Sequence, residues 1–99
     1  MRLTATEKAG ILQTLGGLGE VYLCGSRVDD TLAGGDIDIL LLVKSPEDRA
    51  GLISRKHHLL SALKAEIGDQ RIDLTIVTLE TIQSDPVLKS MHQRAVRLI

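Results

Sequence analysis

Apolar and polar positions change rhythm several times along the chain. In "LTATEKAGILQTLGG", Thr4 and Glu7 stand in the S/T-x-x-E relation of a capping box, and Ile11, Leu12 and Leu15 fall on one helical face. The pattern predicts a first helix, stopped by Gly16 and Gly17. "EVYLC" (20–24) is short, β-branched and apolar, and reads as a strand; a loop follows over 25–35. "DIDILLLV" (36–43) is a second strand, apolar on both faces from Leu40 to Val43, as a central strand covered on both sides would be. "SPED" (45–48) is a helix start: Ser45 as N-cap, Pro46 at the first position, Glu47 and Asp48 at the positive end of the dipole. Leu52, Ile53, Leu59, Leu60, Leu63 and Ile67 then keep helical spacing to Gly68, which predicts one long helix. "RIDLTIVT" (71–78) is a third strand, "SDP" (84–86) opens a short helix, and "AVRLI" ends as an edge strand or a last helical turn. The expectation is a single α/β (α+β) domain over residues 1–99, a small mixed sheet flanked by helices.

Composition narrows the function classes. Hydrophobic residues make up 43% of the chain but aromatics only 1%, so the core must be Leu, Ile and Val. With Tyr22 the sole aromatic, there is no stacking platform for single-stranded nucleic acid. Twelve basic and thirteen acidic residues leave a formal charge of −1, which gives no electrostatic footprint for direct DNA binding or for a membrane surface. The N-terminal stretch lacks the apolar run of a signal peptide and no segment reaches the length of a membrane span, so a cytoplasmic protein is expected. The lone Cys24 excludes an internal disulfide and a CxxC metal site, and is expected to be a buried small hydrophobe.

The chemistry concentrates in carboxylates. Asp36 and Asp38 are at i and i+2 of one strand and leave the same face; Asp73 interrupts another strand. Neighbouring strands lie about 4.8 Å apart, so Asp73 could complete a cluster. Close like charges raise one another's pKa unless a cation sits between them. With no His or Cys adjacent in sequence, such a set selects a hard ion, Mg²⁺ or Mn²⁺, over zinc. Gly25 and Ser26 follow a strand, where backbone N–H groups and a hydroxyl can face an anion, and Arg27 could add charge. Alone, Gly34-Gly35 is a plain turn, and His57 and His58, adjacent on a helix, should diverge by about 100°.

Gly25-Ser26, then "GGDID" with Asp36 and Asp38, then "RIDL" with Asp73, resembles the DNA polymerase β-type nucleotidyltransferase superfamily, and within it the minimal nucleotidyltransferases. The resemblance spans nearly the whole chain. It implies a palm-like nucleotidyltransferase fold and Mg²⁺- or Mn²⁺-dependent transfer of a nucleoside monophosphate from an NTP, with ATP the expected donor, to a hydroxyl. It further implies that Gly25, Ser26 and Arg27 hold the nucleotide, that Asp36 and Asp38 bind metal, and that Asp73 ligates the catalytic metal or helps deprotonate the acceptor. The chain departs from many relatives at Val28-Asp29-Asp30, where extra negative charge would meet the phosphates. Such proteins often accompany a helical HEPN-type ribonuclease as its antitoxin, so the resemblance implies a HEPN-type partner or a homo-oligomer, and an alternative function as a binding module that neutralises by complex formation. Phosphate-loop, Rossmann, EF-hand and hydrolase motifs all fail on spacing or on missing residues.

Overall fold

The structure, a computed structural model, describes residues 3–25, 36–68 and 70–99. Its elements run α1 (Ala5–Leu15), β1 (Glu20–Cys24), β2 (Ile37–Val43), α2 (Pro46–Ser54), α3 (Lys56–Ile67), β3 (Ile72–Thr78), α4 (Leu79–Ser84), α5 (Pro86–Arg94) and β4 (Val96–Arg97). The expected capping box closes α1: Glu7 N–H donates to Thr4 Oγ1 at 3.1 Å and Thr4 N–H to Glu7 Oε1 at 2.9 Å. Glu7 is nonetheless buried, because its other oxygen accepts from Gln70 Nε2 at 2.6 Å and ties α1 to the approach to β3. Ser45 caps α2 through Asp48 N–H, and Asp85 caps α5 through the N–H groups of Val87 and Leu88.

The sheet has the order β3-β2-β1-β4. β2 pairs antiparallel with β1 and parallel with β3, and the parallel pair is joined by the crossover through α2 and α3. This is the mixed α/β architecture the residue pattern predicts, with "DIDILLLV" central and the C-terminal segment an edge strand. That edge is only two residues long, and Arg49 Nε covers the opposite one by donating to Ile76 O of β3 at 2.9 Å.

Alternation along the strands makes two cores. Val21, Leu23, Ile39, Leu41, Leu74 and Ile76 face one way, into a fully apolar layer with Ile11 and Leu15 of α1 and Leu63 and Ile67 of α3. The helices come close because α1 carries Gly10, where a Cβ would fall 2.7 Å from Ile67 Cγ2. Tyr22, Cys24, Leu40 and Val77 face the other way, under Ile82 of α4 and Leu88 and Met91 of α5.

Three local expectations are corrected. The long helix is two, α2 and α3, broken at Arg55 (φ −111°, ψ 12°). α4 is an element the residue pattern does not predict; Thr78 caps it by accepting from Thr81 N–H at 3.3 Å. The rings of His57 and His58 do not diverge but lie 4.0 Å apart, centroid to centroid, in the first turn of α3.

Candidate active site

The parallel register sets Asp38 of β2 opposite Asp73 of β3, and the antiparallel one sets Cys24 of β1 opposite Asp38. The three residues form a row across the sheet on the side of α4 and α5, at the strand ends left open by those helices. Asp38 is half-buried and Asp73 exposed. Burial pushes the Asp38 carboxyl above the ordinary range, and a hydrogen bond with Asp73 and repulsion by Asp73 and then Asp36 add to the shift. Cys24 is buried as expected, and its thiol is pushed up to about 11, by burial first and by the Asp38 charge second.

Asp36, just before β2, takes a different course. Its Oδ2 lies 3.8 Å from Arg71 Nε, in an ion pair open to solvent. Among the described residues, no three His, Cys, Asp or Glu side chains stand close enough to share a metal ion. The structure thus brings Asp38 and Asp73 together and leaves Asp36 on Arg71. The paired carboxylates fit a hard divalent cation in donor type, and their mutual repulsion is what such a cation would relieve. Asp36 could join them by leaving Arg71, since an exposed pair of this kind is worth only about 0–1 kcal/mol.

Gly25 closes the end of β1 in the left-handed region, at φ +73°. A Cβ there would collide with Asp38 Oδ2, so glycine is required twice, by its backbone conformation and by the approach to the carboxylate. Ser26 and Arg27 lie outside the described residues, as do Val28, Asp29, Asp30, Gly34 and Gly35.

A cavity of about 500 Å³ opens over this row, lined by Gly25, Asp38, Asp73, Thr75, Lys56 and Met91 among others. A second, of about 380 Å³, shares Lys56 and Thr75 and continues along β3 past Ile53, Val77 and Leu88. α5, which supplies Met91, is held over the sheet by His92, whose ring meets Tyr22 edge-on at 4.9 Å. Tyr22 in turn donates its hydroxyl to Glu20 Oε1 at 2.6 Å. Lys56, Thr75 and Met91 escaped the sequence reading. Thr75 had a signal, since it is two residues from Asp73 on the same face of a strand; Lys56 and Met91 had none, because only the packing of the crossover and of α5 brings them here.

A family model for a nucleotidyltransferase domain matches residues 6–98, nearly the whole chain. Comparison with curated proteins and with solved structures gave no match.

Proposed function

Because the chain belongs to the nucleotidyltransferase domain family, we propose that it moves a nucleoside monophosphate from an NTP to a hydroxyl on a partner protein, with Asp38 and Asp73 at the reacting centre. The observation that carries this reading is the registered pair itself: two carboxylates side by side on parallel strands, under a solvent-open cavity, with a glycine kept bare against one of them. The acceptor oxygen attacks the α-phosphorus, the bridging bond to the β-phosphate breaks, and pyrophosphate leaves. Asp73, the more exposed of the pair, takes the proton of the acceptor hydroxyl. Asp38, with Asp36 released from Arg71, would hold Mg²⁺ or Mn²⁺, and such an ion would supply stabilisation of the negative charge that develops during transfer. Gly25, Ser26 and Arg27, a glycine, a hydroxyl and a cation in sequence, supply the kinds of group that take a phosphate.

The second reading is an antitoxin-like module that neutralises a HEPN-type ribonuclease by binding alone. It is favoured by Asp36 standing on Arg71 rather than with the other two carboxylates. One experiment separates the two: the chain is incubated with ATP, Mg²⁺ and the product of the neighbouring gene, and that protein's intact mass is measured. The transferase reading expects a gain of one nucleoside monophosphate, lost in Asp36→Asn/Asp38→Asn while the complex still forms. Full neutralisation by that double variant would instead establish the binding module.

A further inference from the structure

We propose that Lys56 binds a phosphate of the incoming nucleoside triphosphate, which makes the α2–α3 crossover part of the nucleotide site. The inference rests on the transferase reading and adds to it a residue that no motif marks. Lys56 is the one basic side chain among the described residues lining the cavity over Asp38 and Asp73. Three arginines of the described chain are committed elsewhere: Arg71 to Asp36, Arg97 to Glu20, Arg49 to the Ile76 carbonyl. Lys56 makes no ion pair among the described residues, although it shares a cavity with two carboxylates. Its ammonium therefore pairs with neither of them, and all three side chains line the same cavity.

That spacing has a physical consequence. A lysine touching Asp38 or Asp73 would neutralise them and close the site. Held apart, it leaves a cavity with negative charge on one wall and positive charge on the other. A triphosphate with its divalent cation has the matching polarity, metal toward the carboxylates and phosphate oxygens toward the ammonium. An acceptor hydroxyl is uncharged and calls for no cation. Lys56 is also the first residue of α3, at the positive end of the helix dipole, and no side chain caps that end.

The test is equilibrium binding to the full chain, with Mg²⁺ and a non-hydrolysable ATP analogue, against adenosine and against Mg²⁺ alone. Lys56→Ala should weaken analogue binding by about tenfold or more, as for loss of a charge-assisted contact. Its affinity for Mg²⁺ alone and for adenosine should stay within about twofold of wild type, the scale of ordinary context variation, and Lys56→Arg should recover most of the lost affinity. Unfolding curves of both variants control for stability, and Lys56→Gln replaces the alanine variant if that one is destabilised. Analogue binding unchanged in Lys56→Ala would overturn the inference while leaving the transferase reading intact. So would a loss shared equally by analogue and adenosine. Wild type that binds Mg²⁺ but no analogue would defeat the transferase reading, and this inference with it.

Discussion

The two faces of the sheet are built from the same three strands and have opposite constraints. On the α1–α3 face, Leu23, Ile39, Leu41, Leu74 and Ile76 pack into a layer with no charged group of their own. On the α4–α5 face the middle is apolar, with Leu40 and Val77 under Ile82, but the open end carries Asp38, Asp73 and Thr75. The first face can be optimised for packing density alone, whereas the second must keep like charges together and a cavity unfilled. Charge repulsion at Asp38 is tolerated because the opposite face supplies the stability. The same division separates two cations of the crossover: Arg49 is used to cover the edge of the sheet, and Lys56 lines the cavity.

The widest gap between the faces should appear on truncation. Leu41→Ala, at a fully buried site of the apolar layer, is expected to cost about 2–5 kcal/mol in urea unfolding. Thr75→Ala, on the cavity wall, should stay within about 0.5 kcal/mol. Equal losses would erase the division. A smaller effect is expected at Gly25, where alanine must hold φ +73° and also push Asp38 aside. Gly25→Ala should cost roughly 1–2 kcal/mol for the left-handed backbone and disturb Mg²⁺ binding, both measurable by thermal unfolding with and without the ion.

Asp38→Asn should act in the opposite direction. A carboxyl whose folded pKa is raised contributes stability at pH values below the ordinary carboxylate range, and that contribution is lost as pH rises through the folded value. At neutral pH the ionised pair opposes folding, so in EDTA the variant should melt above wild type. The gain should be under about 1 kcal/mol, because the pair is open to solvent. Mg²⁺ should then stabilise wild type more than the variant. A melting temperature that does not change, with the Mg²⁺ response intact, would show Asp38 to be simply solvated. The smallest expected effect lies behind it, at Cys24. Its thiol should resist alkylation in the folded state at neutral pH, and its contribution to stability should fade between pH 9 and about 11, a fade absent from Cys24→Ala. Rapid alkylation of native protein would mean that the row at this end of the sheet opens readily.

Much of this molecule follows from spacing a few residues long. Thr4 with Glu7, Ser45 with Pro46, and the apolar run from Leu40 to Val43 announce their elements because capping and alternation act over one turn or one pleat. Asp36, Asp38 and Asp73 stand out for the same reason, as charges inside apolar strands. What they do together is not a local property. Asp38 and Asp73 pair, and Asp36 does not, because the β2–β3 register is set by the whole length of two buried strands and Arg71 waits at the entrance of β3. The break at Arg55 interrupts a periodicity that runs on unchanged through both helices, with no glycine or proline to mark it. α4 is too short for its period to be visible. Lys56 has no signature at all at the start of its helix. It shares a cavity with the carboxylates only because the crossover that joins two parallel strands returns along the β3 edge, and there side-chain position is decided by packing between elements distant in the chain.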